Sequence, residues 1–323
     1  MKLRGGFVSA MAVLAAAGAA LAQHSSATAG HKLPERVLAP YADMAQAASE
    51  LAQIHRETGI RYFTLAFVNA GAACTPDWGN GTAVAADTEI LKSVKELRGH
   101  AGDVIVALGG YEGTELAQSC TDAASLQAAY QQVIDKYKPM ALDFDIEHLA
   151  IDDQGSIEMR SQALKQLAQA NPKVAINFTL PATPAGLTDK SMKVLVSAVT
   201  QGVPVRVVNL MTMDYAATAP TKEMGDNAIS AAQAAKAQLQ QLGLKAKLGV
   251  TPMLGTNDVA GETFTLADAS ALVAFAQKEP EVALLAYWSI GRDNGSCNAQ
   301  VSPTCSGIAQ RKWEFAHIFS AFH

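Results

Sequence analysis

From residue 35 onward, short and almost wholly apolar runs alternate with longer stretches whose hydrophobic residues recur at helical spacing. The runs are RVLAPY (36–41), YFTLAFV (62–68), DVIVALGG (103–110), MALDFDIE (140–147), KVAINFTLP (173–181), VRVVNLMTMDY (205–215), AKLGVTPML (246–254) and ALLAYWSI (283–290). Stretches such as MAQAASELAQIHRETG (44–59) and NAISAAQAAKAQLQQLG (227–243) lie between them. Both are rich in Ala, Gln and Leu and end in Gly, a common helix stop. Near-continuous apolar runs suit parallel strands covered on both faces. Eight of them, each followed by a helix or loop, predict an α/β fold, a single (β/α)8 TIM barrel over residues 35–323. A doubly wound open sheet is the alternative. No G-x-G-x-x-G follows the first run, however, and eight strands is the number that closes a barrel. Trp313, Phe315, Ile318 and Phe319 are expected to form the buried face of the last helix.

Composition adds little to this picture. The chain has 323 residues, 49% hydrophobic and 17% charged, as in an ordinary globular domain. A formal net charge of −5, with Lys and Arg scattered, gives no footprint for nucleic acid, and a monomer is expected. The N-terminus does change the picture. Lys2 and Arg4 precede an Ala-rich apolar run that ends in Ala20-Leu21-Ala22, the pattern of a signal peptide over residues 1–22. Residues 23–34 then read as a flexible lead-in, and the mature form is expected to be secreted or periplasmic and free of membrane. Four cysteines in an exported chain fit disulfides, with three connectivities open. Cys297 and Cys305 share one Gly/Ser/Pro-rich loop, which favours that pair and leaves Cys74 with Cys120. Seven histidines form no metal-binding array, so no metal or cofactor is expected.

The fourth run carries the chemistry. Asp143, Asp145 and Glu147 occupy alternate positions between Leu142, Phe144 and Ile146, so a strand would set all three acids on one face. Acids crowded in this way cannot all ionise comfortably, and at least one pKa must rise. A raised pKa is what a general acid for glycoside cleavage needs, and Glu147, nearest the strand's mouth, is the natural proton donor. Barrel active sites lie at the C-terminal ends of the strands. Those ends carry Tyr41 and Asp43, then Gly109, Gly110 and Tyr111, then Pro181. Met211, Met213, Asp214 and Tyr215 follow on the sixth, Met253 and Asn257 on the seventh, and Trp288 on the eighth. Acids and aromatics on one rim suit a carbohydrate, whose hydroxyls need partners and whose ring faces pack on aromatics. Tyr111 and Trp78 are candidate outer platforms, and His148 is expected to face away from the acids.

At these residues the sequence resembles glycoside hydrolase family 18, the chitinases and related endo-β-N-acetylglucosaminidases, and within it the bacterial chitinase-type catalytic domain. Asp143, Asp145 and Glu147 match the last three acids of the family's D-x-x-D-x-D-x-E. ALGG (107–110) is similar to the third-strand S-x-G-G, and NLMTMDYA (209–216) to the sixth-strand M-x-M-D-Y. LGVTPMLGTND (248–258) and YWSIGRDNG (287–295) resemble the seventh and eighth strands. The resemblance implies a TIM barrel and retaining, substrate-assisted cleavage of β-1,4 bonds next to N-acetylglucosamine. It implies Glu147 as acid/base, Asp145 as partner of the acetamido N–H, Asp143 as modulator of Asp145, and Tyr215 as partner of the acetamido oxygen. Trp288 would floor the cleft, with Asp214, Tyr41, Met211, Tyr111 and Gly110 lining it. The implied partner is chitin or an N-acetylglucosamine-containing oligosaccharide. Met140 and Ala141 depart from the family, which has Asp and Gly there; an altered pH response is the expected consequence. A non-hydrolytic amino-sugar-binding protein and an endo-β-N-acetylglucosaminidase for another glycan are the alternatives.

Overall fold

All eight runs form strands, and the strands close into a parallel barrel. The computed structural model describes residues 32–47, 50–219 and 223–322, so the proposed signal peptide lies outside the described residues. Strand β1 has two halves, Val37–Leu38 and Tyr41–Asp43, joined across Pro40. Its first half pairs with the last barrel strand and its second half with the next, which is how the cylinder closes. Proline has no N–H to offer a ladder, so the switch of partners falls where the hydrogen bonding is already interrupted. The others are β2 (Tyr62–Ala70), β3 (Asp103–Gly109), β4 (Ala141–Asp145), β5 (Ala175–Thr183), β6 (Val205–Met211), β7 (Lys247–Thr251) and β8 (Val282–Leu285). Each is hydrogen-bonded in parallel to its neighbours in chain order.

The helices that cover the barrel are α1 (Leu51–Thr58), α2 (Glu89–Gly99), α3 (Ala123–Tyr137) and α4 (Gln154–Ala170). They continue with α5 (Asp189–Gln201), α6 (Met224–Gln241), α7 (Leu266–Lys278) and α8 (Glu314–Phe319). Helix α1 ends at Gly59, whose left-handed φ of 78° lets its N–H cap the His55 carbonyl. The segment expected to be one helix over 44–59 has a separate short helix, Met44–Ala47, at its start. On α8, Phe315 and Phe319 are fully buried, while Trp313 and Ile318 are only partly so. Both expected disulfides, Cys74–Cys120 and Cys297–Cys305, are formed. No helix among the described residues is long and apolar enough to cross a membrane.

The interior of the barrel is layered, and the layering sets the site's height. At the bottom Val37, Ala39, Ile105, Met140, Ala141, Val207 and Leu284 form an apolar plug. Leu33 joins this plug at 6% exposure, so the lead-in expected to be flexible is packed at that residue. Above the plug lies a polar layer from alternate strand positions: Tyr41, Asp143, Asn177, Thr179, Asn209 and Thr251, all buried. Leu142, Phe144 and Ile146 point the other way and are wholly buried, with Phe144 against Tyr130 (5.1 Å between ring centroids) and Phe178 (5.8 Å). Burying each such side chain stabilises the fold by roughly 1.5–3 kcal/mol.

Candidate active site

Strand β4 ends at Asp145, two residues earlier than the sequence pattern suggests. The chain nevertheless stays extended alongside its neighbour, with Ile146 N–H donating to the Thr179 carbonyl at 3.1 Å. Alternation therefore continues, and Glu147 rises from the floor to the mouth of the barrel, partly exposed above the buried Asp143 and Asp145. Gly109 and Gly110 make this edge possible. Gly110 N–H donates to the Asp145 carbonyl at 3.0 Å, and both glycines have left-handed φ, 103° and 84°. A Cβ on Gly109 would collide with the Asp145 carbonyl, and one on Gly110 would strike the Phe67 ring. Gly110, partly exposed, thus shapes the wall of the barrel mouth.

Asp143 is the anchored member of the three acids. Tyr41 donates its hydroxyl proton to Asp143 Oδ2 at 2.7 Å, and Thr179 Oγ1 lies 2.9 Å from both carboxylate oxygens. Asn209 Nδ2 donates to Thr179 Oγ1 at 3.0 Å, and Thr251 in turn donates to Asn209 Oδ1 at 2.9 Å. This chain ties strands β1, β4, β5, β6 and β7 to one carboxylate. Tyr41, expected to line the cleft, is instead buried at 2% exposure and serves Asp143 from below. Met140 sits in the apolar plug beneath, below the Asp143 network.

The electrostatics grade the three acids. Burial lifts Asp143 to about 6, with the Tyr41 and Thr179 hydrogen bonds pulling it back down. Asp145 is pushed well above the carboxylate range, by burial first and then by the charges of Glu147 and Asp143. Its Oδ1 is buried and has no hydrogen-bond partner among the described residues. Glu147 is lifted to about 7 by burial and by the charge of Asp214. A carboxyl at that value is still substantially protonated near neutrality, as a proton donor requires.

The opposite walls complete the cleft. Tyr215 follows β6 on a tight turn, and its hydroxyl is buried with no hydrogen-bond partner among the described residues. Asp214 beside it is also raised, mainly by burial. Trp288 follows β8, its ring stacked with Phe67 (5.5 Å, 21°) and edge-on to Tyr41 (6.0 Å, 60°). Ala66, Ala107 and Ala286 pack with Tyr41 in this layer, with Phe67 and Trp288 packed against them. Met211 is half-buried at the end of β6, in register with Pro181 and Thr251.

Of the two residues expected as outer platforms, the structure leaves one exposed and buries the other. Tyr111 is 64% exposed, with its ring 4.6 Å from that of His148. Trp78 is buried at 4% exposure and donates to the Tyr137 hydroxyl at 2.8 Å, away from the rim. Its indole closes a loop against α3 and offers no platform. Sequence reasoning missed Thr179, Asn209 and Thr251, which hold Asp143 in place. Their signal was present: each is a polar residue inside an otherwise apolar, doubly covered run, a position where polar groups occur only with partners. Among the described residues no cluster of His, Cys, Asp and Glu has the form of a metal site.

A (β/α)8 barrel with three clustered acids and an aromatic group at its C-terminal mouth has the makings of a general-acid site for a carbohydrate. No protein-family model matches the chain. Curated relatives do. The probable bifunctional chitinase/lysozyme of Escherichia coli (strain K12) is 36% identical over 314 residues, covering 90% of this chain and 35% of that protein. Endochitinase 11 of Metarhizium anisopliae is 36% identical over 283 residues, covering 80% of this chain and 53% of that protein. The chain thus spans about a third to a half of the curated relatives it matches. The crystal structure of the catalytic domain of the hyperthermophilic chitinase from Pyrococcus furiosus superposes with a TM-score of 0.82 at 34% identity, covering 91% of this chain and 98% of that one. Catalytic-site mutants of that domain have been crystallised with chito-oligosaccharides. The chain belongs to the family of these chitinase catalytic domains.

Proposed function

We propose that this protein is an exported retaining glycoside hydrolase of family 18 that cleaves β-1,4 bonds of chitin or N-acetylglucosamine oligomers. Glu147 protonates the leaving oxygen. The substrate's own 2-acetamido carbonyl oxygen attacks the anomeric carbon, and the glycosidic bond breaks to give an oxazolinium ion. Asp145 accepts the acetamido N–H, while Tyr215 donates to the attacking oxygen. Water, deprotonated by Glu147, then opens the ion with net retention.

The observation that carries this reading is that two buried polar atoms, Asp145 Oδ1 and the Tyr215 hydroxyl, stand at the barrel mouth with no well-formed hydrogen bond among the described residues, the Thr212 side chain lying near the phenol. Asp145 offers a buried acceptor with no partner among the described residues, and Tyr215 a buried donor whose near neighbour is the Thr212 side chain. Buried polar atoms left in this way cost free energy unless a ligand satisfies them. An acetamide has one N–H to donate and one carbonyl to accept, which is what the two positions require, and fixing both orients it for attack. The relatives named for chitinase activity support the same substrate class. Export is supported by the N-terminal pattern alone.

A substrate panel tests it. Soluble oligomers of N-acetylglucosamine should be cut to short products, read by mass spectrometry. The corresponding glucose oligomers and fully de-N-acetylated oligomers should remain whole, because neither carries the internal nucleophile. Equal cleavage of the glucose oligomers would sink the acetamide-based mechanism.

A further inference from the structure

Tyr215 can serve an acetamide only if its ring is aimed, and although its own backbone is an ordinary right-handed turn, the backbone on both sides of it is not. The residues on either side, Asp214 and Ala216, both have left-handed φ of 52°. Non-glycine residues keep that conformation only where the surroundings impose it. One loop, the segment after β7, supplies the restraint. Glu262 accepts the Tyr215 N–H on Oε2 at 3.0 Å and the Ala216 N–H on Oε1 at 2.7 Å. The Val259 N–H of the same loop donates to Asp214 Oδ1 at 2.9 Å. Three consecutive residues of the β6 turn are thus gripped from a single place.

The gripping loop is itself fixed. Asn257 N–H donates to the Glu262 carbonyl at 3.1 Å, and Asn257 Nδ2 donates to the Met253 and Gly255 carbonyls at 3.0 Å each. A two-residue antiparallel pairing, Gly255–Thr256 with Thr263–Phe264, closes the loop's base. Glu262 is 8% exposed and each of its oxygens is occupied by a backbone N–H. A buried carboxylate with both oxygens committed to one turn holds that turn in register.

We propose that Glu262 is the positioning residue for Tyr215, setting the place of the phenol that receives the acetamido oxygen. The inference rests on the function proposed above and extends it to a residue that need not touch substrate. The effect should fall on the bond-breaking step, since an acetamide held off its attack line still binds.

A double-mutant cycle on chito-oligosaccharide hydrolysis tests this. Glu262→Ala should lower kcat about 30-fold with KM changed less than about 3-fold. Glu262→Gln keeps one acceptor oxygen and should recover most of the loss. In a Tyr215→Phe background, Glu262→Ala should cost less than about 3-fold more, because the group it positions is already gone. Losses that multiply, about 30-fold in both backgrounds, would overturn the inference, as would a change in KM alone. If Glu262→Ala fails to fold, the same cycle is run with Glu262→Gln, where any loss must likewise vanish in the Tyr215→Phe background. A Tyr215→Phe protein as active as wild type would instead overturn the role given to Tyr215 in the proposed function.

Discussion

Glu147→Gln should lower kcat on N-acetylglucosamine oligomers by about 10³-fold while leaving their Kd within about 3-fold. The amide keeps the shape and most of the hydrogen bonding of the carboxyl but has no proton to give. Binding should survive because the positions proposed to hold the sugar, at Trp288, Asp145 and Tyr215, are untouched. The wild-type pH profile follows from the same group. Glu147 must be protonated in the free enzyme, and it titrates at about 7, so kcat/KM should fall as pH rises through that value. The Glu147→Gln protein should lose this limb along with its activity. Steady-state kinetics and calorimetry on one oligomer check both statements, and a variant that keeps more than about a tenth of wild-type kcat would remove Glu147 from the role of donor.

The same substitution should make the protein more stable in mild alkali. The sign follows from linkage. Asp143 is raised from 3.8 to about 6 and Glu147 from 4.5 to about 7, so the folded state holds more protons than the unfolded chain between these limits. Stability supplied by those protons is complete below about pH 4 and is lost as pH rises through 6 and 7. Removing the charge at 147 removes that position's share of the loss. Urea unfolding should place Glu147→Gln up to about 3 kcal/mol above wild type near pH 8, and level with it near pH 4. The gain is an upper figure, because Glu147 and Asp145 titrate together. A variant no more stable than wild type near pH 8 would mean that the carboxylate is adequately solvated, and the argument for a raised donor would lose its basis. Activity and stability thus pull in opposite directions at one residue, as expected where a site holds buried acids.

The barrel was legible because its strands are covered on both faces, and a run such as DVIVALGG has few other uses. The acids of β4 were legible because the period of two survives past the end of the strand to Glu147. Other parts depend on contacts between distant segments. Nothing local separates Tyr41 as a buried donor to Asp143, 102 residues away, from Tyr41 as a cleft residue. Trp78 looked like an exposed loop aromatic until α3 brought Tyr137 to its indole nitrogen. Glu262 lies in a polar loop, and only the fold reveals that its carboxylate meets the backbone of a turn 46 and 47 residues away. Hydrogen bonds to backbone N–H leave no residue-type signature, so pattern alone could not find that one.

The central claim is that the substrate's acetamide, set between Asp145 and Tyr215, is the nucleophile and that Glu147 supplies the proton. The anomeric configuration of the first product reports on this most directly. Proton NMR of an N-acetylglucosamine oligomer, recorded in the first minutes of hydrolysis before mutarotation, should show the new reducing end as the β-anomer. An initial α-anomer would mean that water attacks directly from the opposite face, and substrate-assisted cleavage at this site would be wrong.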